Sequence, residues 1–207
     1  MTDPKEHLQA ITDIRSMMER SSRFISLSGL SGIFAGVFAL CGAYAAYLEL
    51  NSHGRMYRLL NESDFSGVVI YLLLDAAVVL LASLAAGIIL TIRNSKKKGI
   101  RIWDAAAKRL LINLLIPLVT GGLFCLVLLY HGLAGLVAPA TLLFYGLALI
   151  NASKYTLNDI RYLGFCEILL GLTATLFMGY GLLFWAAGFG VLHIVYGTVM
   201  YFKYERE

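Results

Sequence analysis

The chain reads as an all-α, polytopic integral membrane protein: six transmembrane helices arranged as three hairpins, with both ends in the cytoplasm. Three observations predict this. Hydrophobic residues make up 59% of the 207 positions and charged residues 14%, with a mean hydropathy of +0.75, and so much apolar material cannot be hidden beneath a water-soluble surface. Apolar runs of membrane-crossing length recur along the chain. Lysine and arginine gather in alternate connecting segments.

A bilayer core of about 30 Å needs roughly 20 apolar residues at about 1.5 Å per residue. Residues 1–23 precede the first such run and are too polar for a cleaved signal. Within them Leu8, Ile11, Ile14 and Met18 recur at helical spacing among Asp13, Arg15, Glu19 and Arg20, which predicts a cytoplasmic amphipathic helix on the membrane or against the bundle. The membrane domain covers 24–202, with spans expected at Phe24–Leu48, Val68–Ile92, Leu110–Tyr130, Gly135–Ile150, Tyr162–Tyr180 and Leu182–Phe202. Residues 203–207 form a cytoplasmic tail. The last two spans are one long apolar stretch, divided at Gly179-Tyr180-Gly181 because a single helix of about 40 residues would overshoot the bilayer. A five-span reading keeps that stretch whole.

Orientation follows from the basic residues, which are retained in the cytoplasm. Arg15, Arg20 and Arg23, then Arg93, Lys96, Lys97, Lys98, Arg101, Lys108 and Arg109, then Lys154 and Arg161, then Lys203 and Arg206, all fall on one side if there are six spans. The loop at Lys96, Lys97, Lys98, Arg101 and Trp103 suits lipid headgroups, with the indole at the interface. The net charge of +4 is spent on these flanks and does not coat one face, so nucleic acid is not an expected partner. The expected partner is the lipid bilayer, with a homo-oligomer or a protein docked on the N-terminal helix as further candidates.

Small residues at Gly29, Gly32, Gly36, Ala39, Ala43 and Ala46 alternate at spacings of three and four along the first span, a narrow stripe that lets another helix come close. That helix belongs either to the same bundle or to a second copy. Consecutive spans pair as hairpins that each begin after a basic residue, Arg23, Arg109 or Arg161, and spans four and six share Tyr145-Gly146 and Tyr196-Gly197 at comparable depth. These are weak signs of internal triplication.

Ionisable residues inside apolar spans are costly and tend to face protein or water, so Asp75, Glu167 and His193 are the candidate polar path. Helical rise places Glu167 roughly 8 Å, His193 roughly 14 Å and Asp75 roughly 25 Å from the cytoplasmic side. By helical angle Glu167 shares a face with Gly164 and Gly171 and Asp75 with Ala82 and Ala86, while His193 lies within about 60° of Gly190 and Gly197, so each points toward a close-packing side. Glu167 and His193 lie on consecutive antiparallel helices at similar depth, so a direct hydrogen bond or ion pair is expected, and with it proton handling. A satisfied polar contact that only fixes helix register is the blander expectation.

Two segments carry a resemblance: Ser21 to Gly36, Ser-Ser-Arg-Phe-Ile-Ser-Leu-Ser-Gly-Leu-Ser-Gly-Ile-Phe-Ala-Gly, and Gly188 to Gly197, Gly-Phe-Gly-Val-Leu-His-Ile-Val-Tyr-Gly. Through them the chain resembles a group of small bacterial multi-span membrane proteins without an assigned activity. The resemblance implies a bacterial inner-membrane protein and no mechanism. In helix count and hairpin order the layout is similar to that of bacterial acid-resistance membrane proteins. Gly29-Leu30-Ser31-Gly32 resembles the G-x-S-G motif of rhomboid proteases, with His193 matching their last-span histidine. Here the serine is on the first span instead of the fourth, and the oxyanion-stabilising His and Asn pattern is missing, so an intramembrane serine hydrolase is a remote alternative. No H-E-x-x-H, P-loop or Cys/His metal cluster occurs, and no metal or other cofactor is expected. A small channel or transporter for protons, ions or a small solute is the leading expectation. A noncatalytic module that binds a partner or senses lipid is the other.

Overall fold

A computed structural model describes residue 9 and residues 28–53, 62–97, 99 and 103–206. The expected amphipathic helix over 7–22, apart from residue 9, and Lys98 and Arg101 of the basic loop lie outside the described residues. All regular structure among the described residues is helical. Six long helices lie among the described residues: α1 Gly29–His53, α2 Glu62–Lys97, α3 Ala105–Tyr130, α4 Val137–Ala152, α5 Asp159–Leu176 and α6 Gly181–Tyr204. Every helix but α5 belongs to an apolar segment long enough to cross a membrane, short 3-10 turns extending α4 at both ends. The 18 residues of α5 include Asp159, Arg161 and Glu167.

Local chemistry explains most boundaries. Asp104 caps α3, its carboxylate accepting from the Ala107 amide at 2.7 Å. The last apolar stretch is broken where the glycines suggested: α5 ends at Leu176, and Gly179 takes a φ of +99°, a conformation that side-chain-bearing residues avoid. Helices α2 and α3 run beyond their expected spans, α2 by several residues at each end, because polar flanking residues continue the same helix.

The helices pack in sequence across the bundle as α2, α1, α6, then α4 with α5, and α3 against α4. Two crossings are built alike. An added Cβ on Gly36 of α1 would stand 2.6 Å from the Gly190 carbonyl oxygen and 3.0 Å from the Ile194 amide of α6. On Gly146 of α4 it would stand 2.6 Å from the Gly164 carbonyl oxygen and 3.0 Å from the Ile168 amide of α5. Backbone thus lies directly on backbone, which in lipid supplies the dispersion contacts that hold helices together. In the α1 stripe Gly29, Gly32 and Gly36 all face α6, and Ala39, Ala43 and Ala46 are buried. The glycine part of the stripe is therefore used inside the bundle.

Polar contacts tie the helix ends at the side rich in basic residues. The Glu205 carboxylate at the end of α6 accepts from the Gly29 amide and, at 3.1 Å, from the Ser28 hydroxyl, so it caps α1. Asp159 at the start of α5 accepts from Lys203 Nζ and from the Tyr204 hydroxyl, both at 2.7 Å. Asn151 of α4 donates to the Asn113 carbonyl of α3 at 2.9 Å.

Candidate functional site

The site begins with an irregularity in α6. Residues Ala186–Leu192 form a π-helical segment, one residue wider per turn than the α-helix on either side. Gly188 and Gly190 lie within it. Where α-helical spacing would point His193 away from the carbonyl five residues earlier, the wider turn brings the two together, and His193 Nδ1 lies 3.0 Å from the Gly188 carbonyl oxygen. His193 Nε2 lies 2.7 Å from the Tyr145 hydroxyl of α4. The rings of Trp185, Phe189, His193 and Tyr145 form a continuous aromatic contact, with centroids 4.9 Å apart for Tyr145 and Phe189 and 5.3 Å apart for Tyr145 and His193.

Glu167 of α5 completes the cluster. It is fully buried, at 0% exposure, and its Oε1 lies 3.5 Å from His193 Nδ1. Neither carboxylate oxygen has a hydrogen-bond partner. Room for it comes from Gly188, where an added Cβ would collide with Oε2 and with the Leu142 side chain. The glycine does two things here: its carbonyl accepts from the imidazole and its missing side chain admits the carboxyl. Gly164 and Gly171, on the same face of α5 as Glu167, let α4 approach closely, so the helix bearing the acid cannot back away.

These contacts set the proton positions. A carbonyl oxygen only accepts, so the Nδ1 facing Gly188 carries hydrogen, and in the neutral ring Nε2 accepts from the Tyr145 hydroxyl. In the doubly protonated ring Nε2 donates to Tyr145, and Glu167 Oε1 becomes the counter-charge nearest Nδ1. The cluster can hold a proton on the acid or on the imidazole with small movements of heavy atoms.

The structure brings Glu167 and His193 together and leaves Asp75 on a separate helix pair. Asp75 faces α1 from α2, half-buried, and an added Cβ on Gly42 would stand 3.2 Å from its Oδ2. His193 points to a close-packing side as expected, but not to the neighbour its glycines meet: Gly190 and Gly197 turn to α1, while the imidazole turns to α4 and α5. The π-segment shifts the helical phase between Gly190 and His193, whereas Gly197 follows His193 within regular α-helix, and there the contacts with Tyr145 and Glu167 hold the imidazole to its own side. Tyr145 was missed. Its only sequence signal was the Tyr-Gly pair shared with span six, which does not reveal a hydroxyl aimed at a histidine.

Ser31 donates to the carbonyl of Ser28, just before α1. With the ring nitrogens of His193 facing Tyr145, Gly188 and Glu167, no serine–histidine pair is formed. Of the basic loop, Lys96, Lys97 and Trp103 are exposed, and Lys108 Nζ lies 5.9 Å from the Trp103 ring centroid. Comparison with protein-family models, with curated proteins and with solved structures returned no match, so the functional reading rests on this geometry.

Proposed function

We propose that the chain is a six-span membrane protein, both termini cytoplasmic, in which Glu167, His193 and Tyr145 handle protons inside the bilayer as the working site of a small channel or transporter. The observation that carries this reading is the fully buried Glu167 carboxyl, with no hydrogen-bond partner, facing His193 Nδ1 at 3.5 Å. An isolated carboxylate is very costly in an apolar interior, and a fully satisfied structural ion pair would saturate its oxygens. Glu167 is left instead with acceptor capacity that a proton, or a solute's donor, would use.

The sixth span is supported by length and packing. At about 1.5 Å per residue, 18 residues of α5 reach about 27 Å, close to the thickness of the hydrocarbon core. Crossing there keeps Lys154, Arg161, Lys203 and Arg206 on the side of Lys96 and Lys97. The resemblance to small bacterial membrane proteins favours the inner membrane.

The test is reconstitution into liposomes enclosing a pH-sensitive dye. Under an imposed proton or solute gradient the wild type conducts, and Glu167→Gln and His193→Ala abolish the flux. Absence of wild-type flux under every gradient overturns the reading. A second reading, a noncatalytic module docking on anionic lipid through the basic loop, draws on the exposed Lys96, Lys97 and Trp103. It requires binding that weakens when Lys96 and Lys97 are replaced by glutamine.

A further inference from the structure

We infer that Asp159 and Tyr196 form the route by which protons reach the buried cluster from the end of the bundle that carries Lys203. The inference rests on the proton-handling reading above. Tyr196 lies on α6 three residues beyond His193, and its hydroxyl is buried without a hydrogen-bond partner. Such a hydroxyl is costly to keep unless something intermittently bonds to it. Its ring packs with that of Tyr145 against the cluster of Leu149, Ile160 and Leu163, and the Tyr145 hydroxyl is already bonded to His193.

Ile160, in the cluster that Tyr196 packs against, directly follows Asp159 at the start of α5. The Asp159 carboxylate, 23% exposed, meets water and is held by Lys203 and Tyr204. Titratable groups therefore run from a water-exposed acid on α5, through Tyr196 of α6 and Tyr145 of α4, to His193 and Glu167. Two links, Asp159 to Tyr196 and Tyr196 to Tyr145, have no direct hydrogen bond, so the route requires water to bridge each of them.

Proton transfer along this line balances. Each hydroxyl accepts a proton on oxygen and releases its own. The hydrogen leaving Tyr145 goes to His193 Nε2, giving the imidazolium, and the hydrogen on Nδ1 then leaves the Gly188 carbonyl for Glu167 Oε1. One proton taken up from water at Asp159 has reached the Glu167 carboxylate, and the imidazole is left in its Nε2–H tautomer, which the Gly188 carbonyl disfavours and which the return of the proton converts back to Nδ1–H. The reverse sequence returns it.

The experiment follows deuteration of the Glu167 carboxyl by infrared spectroscopy in reconstituted protein, its C=O band being assigned by loss in Glu167→Gln. Because the Tyr196 hydroxyl has no partner, Tyr196→Phe breaks no bond and leaves the melting temperature unchanged. The route predicts that deuteration slows at least about tenfold in Tyr196→Phe and in Asp159→Asn. Wild-type exchange in Tyr196→Phe overturns it, as does absence of a protonated Glu167 band at any pH. Dye-detected flux separates the two readings. Slowed exchange without wild-type flux keeps the route and removes transport, whereas equal flux in wild type and Tyr196→Phe removes the route and keeps transport.

Discussion

The inner helices α1, α4, α5 and α6 and the outer helices α2 and α3 solve different problems with similar apolar material. On α2 and α3 most side chains are exposed, and Gly67, Gly87 and Gly122 have open space where a Cβ would be. On the inner helices Gly29, Gly32, Gly36, Gly146, Gly164, Gly188, Gly190 and Gly197 meet a neighbour closely. A small residue in a membrane helix is therefore informative only with its partner in view. The inner set also holds the acid, the imidazole and the phenol. The outer set keeps Asp75 in the groove with α1. Close backbone packing excludes lipid and fixes side-chain geometry, which an acid–base cluster needs and a lipid-facing helix does not.

The comparison breaks most visibly at the crossings. Gly36→Leu forces a side chain onto the Gly190 carbonyl and Ile194, and overpacking of about 3 kcal/mol lowers the melting temperature by roughly 6–12 °C. Gly87→Leu and Gly122→Leu, read by the same thermal scan in detergent, stay within about 2 °C of wild type. Equal losses at all three positions would erase the distinction between inner and outer helices.

Function sharpens it next. Tyr145→Phe leaves His193 Nε2 without its donor, costing about 1–2 kcal/mol and slowing proton flux in liposomes. Asp75→Asn keeps most of the flux, because its carboxyl lies on another helix pair. Loss of flux in Asp75→Asn equal to that in Glu167→Gln would reinstate a three-residue path.

The smallest effect concerns the Asp159 contact at the basic end. Partial burial pushes the Asp159 carboxyl up, but hydrogen bonds from Lys203 and Tyr204 and the Lys203 charge outweigh it, so the group ionises below the usual carboxylate range. A folded-state value held below the unfolded one gives stability that is full above about pH 4 and is lost as pH falls through the folded value. Thermal scans should show a slight extra decline below about pH 4 in the wild type that Asp159→Asn lacks.

Several features were legible along the chain. The apolar runs set where helices form, since each needs only its own composition and the bilayer's thickness. The turn at Gly179 and the glycine face of the first helix were legible for the same local reason. So was the juxtaposition of Glu167 and His193, because consecutive antiparallel helices of known depth leave little freedom.

What only the tertiary structure decided is the set of partners. Helical-wheel reasoning assumes an unbroken 3.6-residue period, and the π-segment at Ala186–Leu192 violates it with no sequence signature beyond its glycines. Tyr145 meets His193, and Asp75 stays apart, through the crossings of α4 with α6 and of α2 with α1. Periodicity specifies the face a residue occupies. The residue opposite depends on how two helices cross, and a crossing is a property of both surfaces together.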